Sequence, residues 1–248
     1  MNFKKIEESF ISLFLPAECK ICSKPLKSSN RSFICEECWN KVEWLEPPYC
    51  SRCSKPFSPS ETSPINSFSI CAECKKNSLY FKKVFVPTLY VGVMKKIIHI
   101  FKYERKRGVI RGIKKIMEIY FSQNHFPFSR LHLVVPIPLY RKKLKERGFN
   151  QAELLARIIA EYFNIKLSKN NLKKIKPTKS QTKLSASERI KNMKGAFIVK
   201  SKEEFCGKNI LLVDDIYTTG ATVKEAAKIL KRVNTKEIYA FTLARAKL

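Results

Sequence analysis

The sequence predicts an α/β fold: a mostly parallel sheet with helices on both faces, preceded by a small cysteine-rich module. Three observations carry that expectation. Beyond about Leu79, short apolar runs alternate with stretches of helical periodicity, as strands joined by crossover helices require. One of those runs, Ile210-Leu211-Leu212-Val213, is continuously apolar, as in a parallel strand buried on both faces, and leads into Asp214-Asp215 and a Thr/Gly turn. Ahead of this region, eight cysteines from Cys19 to Cys74 fall into four Cys-x-x-Cys pairs.

Taken in order, the first segment carries Phe3, Ile6, Phe10, Leu13 and Phe14 at helical spacing and predicts a short amphipathic helix ending at Pro16, packed on the body of the chain. Cys19-x-x-Cys22, Cys35-x-x-Cys38, Cys50-x-x-Cys53 and Cys71-x-x-Cys74 follow, separated by twelve, eleven and seventeen residues. Two-residue spacing lets both sulfurs of a pair reach one tetrahedral ion, and the longer gaps let a ribbon return with a second pair. Two structural zinc sites of four cysteines each are therefore expected. Sequential use, with Cys19, Cys22, Cys35 and Cys38 on one ion and Cys50, Cys53, Cys71 and Cys74 on the other, closes the shortest loops. An interleaved arrangement is the alternative, which spacing by itself does not exclude.

A disulfide framework would need an oxidising compartment. Residues 1–15 carry Lys4, Lys5, Glu7 and Glu8 and lack the continuous apolar core of a secretory signal, so reduced thiols and a cytoplasmic location are expected. Cys206 stands alone and reads as a buried or idle thiol. The Ser/Pro-rich stretch 57–65 reads as loop. The character of the chain changes near residue 80, dividing it into an N-terminal helix with a double zinc ribbon over 1–80 and a larger domain over 81–248.

In the larger domain the pattern predicts a strand over 84–90, helices over 94–103 and 109–121, and a short buried strand over 131–138. A helix then uses Leu154, Leu155, Ile158 and Ile159 as its apolar face. The basic, Ser/Thr-rich segment 172–196 shows little periodicity and reads as a long mobile loop. Strands near 197–199, 210–213 and 238–243 complete the alternation. Sheets of this kind take ligands at the carboxyl ends of their strands.

The run ending the 210–213 strand has a specific chemistry. Backbone N–H groups from Thr218 through Thr219, Gly220, Ala221 and Thr222 lie at the start of a helix continued by Val223, Ala226, Ala227 and Leu230, where they can point at a phosphate. Gly220 lets the main chain come close, and Thr218, Thr219 and Thr222 add hydroxyl donors. Asp214 and Asp215 suit vicinal ribose hydroxyls, directly or beside Mg²⁺. The competing reading, Asp215 as a helix cap in an ordinary turn, accounts for neither the acid pair nor the flanking strand. The run resembles the phosphoribosyl pyrophosphate (PRPP) motif of type I phosphoribosyltransferases. It is not a Walker loop, which needs Gly-x-x-x-x-Gly-Lys.

At 248 residues and 44% hydrophobic content the chain can bury one ordinary core beside a small metal-held module. No run of eighteen apolar residues occurs, so no membrane span is expected. The formal charge is +28; eight thiolates on two Zn²⁺ would lower it to about +24. Between Arg141 and Lys194 there are sixteen Lys or Arg and four Glu, a clustering that favours a polyanionic partner over a merely solvated Lys-rich surface.

Further motifs span most of the chain: His99-x-x-Lys102-Tyr103, Val135-Pro136-Ile137-Pro138-Leu139, Arg147-Gly148-Phe149-Asn150-Gln151-Ala152, and Thr178-x-x-Gln181-x-x-Leu184 with Arg189-x-x-Asn192. With the cysteine pairs and the Asp214–Thr222 run, they resemble the ComF family, in the family's order. The resemblance implies a zinc-ribbon module joined to a type I phosphoribosyltransferase-like domain, acting in natural competence, where incoming single-stranded DNA is handled in the cytoplasm. It also implies a pyrophosphate-binding loop from Pro138 and Leu139 to Arg141, with Lys142 and Lys143 nearby, and a flexible loop holding Thr178, Gln181, Arg189 and Asn192.

Single-stranded DNA would need a basic groove with stacking faces. Lys142, Lys143, Lys145, Arg147, Lys179, Lys183 and Arg189, with Lys173 and Lys174, are the candidate phosphate contacts; Tyr140 and Phe149 are the candidate aromatics, each also readable as core. A helicase of the uptake machinery is a candidate partner. Two functions stay open: a competence factor binding PRPP with Mg²⁺ and single-stranded DNA, or an active phosphoribosyltransferase using Asp214 and Asp215 on an unidentified acceptor.

Overall fold

A computed structural model describes residues 18–26, 33–57, 69–77, 79–103, 107–124, 126, 128–178 and 185–247. The amphipathic segment 3–14, most of the Ser/Pro-rich stretch 57–65, and Lys179, Gln181, Lys183 and Leu184 lie outside the described residues.

Among the described residues six strands form one sheet: β1 (Val84–Phe85), β2 (Thr88–Leu89), β3 (Leu133–Pro136), β4 (Lys166–Leu167), β7 (Asn209–Tyr217) and β8 (Glu237–Arg245). Its order is β1-β8-β7-β3-β4, with β2 also on β8, and every pairing is parallel. Val135 pairs with Leu212 and Leu212 with Ala240, so β7 runs through the middle.

The position of β7 explains its unbroken apolar run. Alternate side chains of a strand face opposite ways. Ile210 and Leu212 pack among Val223, Ala226, Ala227 and Leu230 of α8 (Ala221–Lys231). Leu211 and Val213 pack on the other face among Ile97 and Phe101 of α3 (Gly92–Tyr103), Ile113 and Met117 of α4 (Ile110–Gln123), and Leu155 and Ile159 of α6 (Gln151–Phe163). Burying each such side chain contributes about 1.5–3 kcal/mol.

Three local departures from the sequence reading have physical causes. The expected strand 84–90 is split into β1 and β2, because Pro87 has no N–H for the ladder; its carbonyl accepts from the Leu45 N–H at 2.8 Å instead. Register is kept across the break, Phe85 on Phe241 and Thr88 on Ala244. The segment read as a long loop over 172–196 contains β5 (Leu172–Lys174) and α7 (Ala186–Met193). The helix is started by a capping box, Ser185 Oγ accepting from the Glu188 N–H and Glu188 accepting from the Ser185 N–H. Thirdly, β6 (Phe197–Val199) leaves the main sheet and pairs antiparallel with β5.

The cysteine module packs on both sides of the sheet. Short helices α1 (Glu36–Trp39) and α2 (Ala72–Lys76) begin directly after Cys35 and Cys71. Cys19 and Cys38 join the cluster of α3 and α4, whereas Cys50, Cys53, Cys71 and Cys74 join that of α8. The Trp39 indole lies where a Cβ on Gly112 of α4 would stand. Arg52 donates to the Phe81 carbonyl at 3.3 Å and Ser54 Oγ to the Val84 carbonyl at 2.7 Å. Among the described residues no helix is long and apolar enough to cross a membrane.

Candidate functional site

Strand order reverses between β3 and β7: the chain leaves β3 through α6 toward β4, and leaves β7 through α8 toward β8. Loops that diverge at such a switch point leave a crevice beyond the strand ends. A cleft of about 710 Å³ lies there, lined by Ile137, Pro138 and Leu139 after β3, by Asp214, Asp215, Thr218 and Thr222 after β7, and by Lys102, Lys143, Arg147 and Lys174 around them.

The turn into α8 borders the cleft, and glycine and arginine fix its backbone. Gly220 is the N-cap with φ +73°, a left-handed conformation that a side chain resists, and a Cβ there would collide with the Tyr217 ring. Thr218 and Thr222 line the cleft. The Thr219 hydroxyl turns inward and accepts from the Ala221 N–H at 3.4 Å, so Thr219, Gly220 and Ala221 are buried parts of the turn. Below them Arg245, 1% exposed, donates to the carbonyls of Tyr217, Thr218 and Ala246 at 2.8, 2.6 and 3.1 Å, and stacks on Tyr217 at 4.8 Å. That arginine fixes the carbonyls of the turn.

The two acids differ. Asp215 pairs with Lys102 at 2.7 Å, both side chains being mostly buried. Asp214 accepts the Asp215 N–H at 2.9 Å, yet burial first and the Asp215 charge second lift its pKa to about 7. Opposite, Lys174 is brought down to about 8, by burial first and then by Lys143, and Lys143 is lowered by burial and by Arg147 and Lys102. Desolvated cations thus face a carboxyl that ionises readily once a cation or hydroxyl donors approach.

Of the sequence candidates, Asp214, Asp215, Thr218, Thr222, Pro138, Leu139, Lys143, Arg147 and Arg189 come together around one cleft. Arg141, Lys142 and Lys145 are exposed on α5 (Arg141–Arg147) and do not line it. Phe149 is buried, 5.9 Å from Phe101. Lys174, a candidate phosphate contact from the sequence, also lines the cleft, whereas Lys102 and Arg245 carried no role in the sequence reading. Arg245 was detectable as a charge closing an apolar strand; the pairing of Lys102 with Asp215 spans 113 positions and has no local signal.

Asn150 caps α6, accepting from the Ala152 N–H at 3.2 Å and donating to the Ile137 carbonyl at 3.0 Å. This ties the loop after β3 to the helix behind it.

Eight of the nine cysteines fall into two sets, Cys19, Cys22, Cys35 and Cys38, and Cys50, Cys53, Cys71 and Cys74, with all sulfurs of a set within 4.8 Å of one another; Cys206 is exposed and in neither. Sequential pairing is therefore the arrangement present. Sγ–Sγ separations of 3.8 Å for Cys19–Cys38, 3.6 Å for Cys22–Cys35 and 3.7 Å for Cys53–Cys71 match the edge of about 3.8 Å that four Zn–S bonds of about 2.3 Å would give in a tetrahedron. The Cys35 and Cys71 amides donate to the sulfurs of Cys19 and Cys50 at 3.4 and 3.3 Å, the outer hydrogen bonds that steady a thiolate.

Comparison with known proteins agrees with this geometry. A family described as a double zinc ribbon domain matches residues 10–75, and one described as a phosphoribosyl transferase domain matches residues 145–247. Competence protein ComFC of Bacillus subtilis is 31% identical over 225 residues, 86% of this chain and 84% of that protein. Competence protein F of Haemophilus influenzae is 29% identical over 217 residues, 86% of this chain and 90% of its own length. DNA utilization protein YhgH of Escherichia coli is 24% identical over 235 residues, covering 94% and 99% respectively. Fold and site define a phosphoribosyltransferase-type sheet carrying two cysteine-rich zinc ribbons. Within that class, the chain belongs to the ComF family.

Proposed function

We propose that this protein serves DNA uptake in natural competence as a cytoplasmic factor that binds PRPP with Mg²⁺ in the β3–β7 cleft and single-stranded DNA on the basic surface beside it. The observation that carries the reading is the convergence, at one switch point, of an acid pair, a threonine turn opening a helix, and desolvated lysines. In this reading the main chain of 218–222 holds the 5′-phosphate, Asp214 and Asp215 hold the ribose hydroxyls, and Pro138, Leu139 and Lys143 hold pyrophosphate. Mg²⁺ would neutralise pyrophosphate charge, with Asp214 as a candidate carboxylate because Asp215 is already paired with Lys102. Arg141, Lys142 and Lys145, outside the cleft, extend the surface for DNA phosphates. The names of the relatives, two competence proteins and a DNA utilization protein, support the competence setting.

Calorimetric titration with PRPP and Mg²⁺, beside anisotropy with a labelled oligonucleotide, tests the reading. Replacing Asp214→Asn and Asp215→Asn together should abolish PRPP binding and leave DNA binding within about twofold. Equal loss of both, in a protein that keeps its thermal transition and zinc content, would refute separate sites.

Turnover is the second reading, favoured by Lys174. The antiparallel β5–β6 ribbon carries this lysine to the side of the cleft facing Asp214, where it would stabilise departing pyrophosphate or approach an acceptor. Pyrophosphate release from PRPP in the presence of candidate bases or nucleotides tests it; no release above the protein-free rate sinks it.

A further inference from the structure

A single-stranded DNA surface needs a face on which bases stack, and neither aromatic singled out from the sequence offers one at the cleft. Phe149 is buried against Phe101, and Tyr140 is not among the residues that line the cleft. Tyr103 does line it. Standing at the C-terminal end of α3, it is 55% exposed, the highest exposure of any large hydrophobic side chain among the described residues.

Exposed tyrosines ordinarily swing freely, but this one is held. The Arg147 guanidinium lies over its ring at 5.0 Å and donates to its hydroxyl at 3.3 Å. Arg147 also donates to Gln151 Oε1 at 3.1 Å, and Gln151 Nε2 reaches the carbonyls of Phe101 and Lys102 at 3.4 Å. A closed chain of hydrogen bonds therefore joins α5, α6 and the last turn of α3, fixing the phenol and the guanidinium against each other. His99, one turn earlier and exposed, flanks the ring at 4.9 Å. Packing alone does not explain so many contacts spent on orienting a side chain that stays open to solvent. A planar ligand does.

We propose that Tyr103, backed by Arg147 and flanked by His99, is the platform on which a nucleobase of single-stranded DNA stacks at the mouth of the cleft. The proposal rests on the single-strand reading above and adds the base contact to it. Every base presents a π-face, so the platform is tolerant of sequence, and a guanidinium stacked on the tyrosine adds cation–π attraction. Lys143 of the same helix lines the cleft beside Arg147, and Lys142 and Lys145 are exposed on that helix, so backbone phosphates near the stacked base have cations within the same element.

The test measures anisotropy with two fluorescent strands of equal length, oligo-dT and an abasic oligomer, against the full-length zinc-loaded protein. Tyr103→Ala should weaken oligo-dT binding about tenfold, as expected for one stacked base, and change abasic binding by less than about twofold. Tyr103→Phe keeps the ring and should stay within about threefold of wild type on oligo-dT. As an exposed residue, Tyr103 should shift the thermal transition by no more than about 2 °C on truncation, which a thermal scan verifies. Equal losses on both strands, or no loss on oligo-dT, would overturn the platform while leaving strand binding intact. If the wild-type protein binds neither strand, the single-strand reading fails and takes the platform with it.

Discussion

Asp214 is lifted from 3.8 to about 7 by burial and by the adjoining Asp215 carboxylate, so between those values the folded protein keeps a proton that the unfolded chain has released. This group therefore stabilises the fold most at acid pH, and its contribution is lost as pH rises through about 7. Ribose hydroxyls and Mg²⁺ need the ionised form. PRPP affinity should accordingly climb as pH passes about 7 and fall beyond about 8, where Lys174 loses its proton. Titrations stepped in pH read this directly: Asp214→Asn should flatten the acid limb down to the ligand's own phosphate ionisation, and Lys174→Arg should remove the alkaline one. Arg245 acts on geometry instead of charge at the ligand. Substituting Arg245→Met strips three carbonyls of a buried donor and should cost about 3 kcal/mol in denaturant unfolding, with PRPP affinity reduced. Arg245→Lys should recover only part of either, since an ammonium lacks the planar fork.

Among the elements, those with a strong period were legible and those set by partners were not. The helices α3, α4, α6 and α8 announce themselves through apolar positions repeated every three to four residues, and β7 through its unbroken hydrophobic run. The helix over Ala186–Met193 has a mostly polar surface and was hidden by it, although Ser185 and Glu188 held the signal of its start. The two residues of β4 and the three of β5 are strands only because β3 and β6 pair with them, which no local pattern encodes. Contact between modules is a matter of single elements too. Gly112→Ala places a methyl group in the Trp39 indole and should cost about 1–3 kcal/mol while shifting tryptophan fluorescence. PRPP affinity should not change, because that face of α4 does not touch the cleft; a parallel loss of binding would mean the first ribbon bears on the site.

For the whole molecule, the two metal sets and the net charge set the behaviour in solution. The second set is buried throughout, whereas Cys22 of the first is exposed. Challenge with a chelator should therefore release about two zinc ions per chain in two phases, the faster from the first set; a single phase would show that the sites open together. Exposed Lys142 and Lys145 separate the two proposed ligands. Changing both to Gln should lower the salt slope of single-strand binding by about 1.4 and leave PRPP binding unaltered. The sequence by itself determined the class of sheet, the four Cys-x-x-Cys pairs and the acid–threonine turn, because each depends on neighbours within one turn, one strand or one knuckle of chain. Only the tertiary structure decided that Lys102 neutralises Asp215, that Arg245 braces the turn, that Lys174 comes to face Asp214, and that Tyr103 stands fixed by Arg147 at the cleft mouth. These contacts join residues tens to more than a hundred positions apart. Their partners are chosen by how strands stack and helices pack, and a linear pattern carries no record of that.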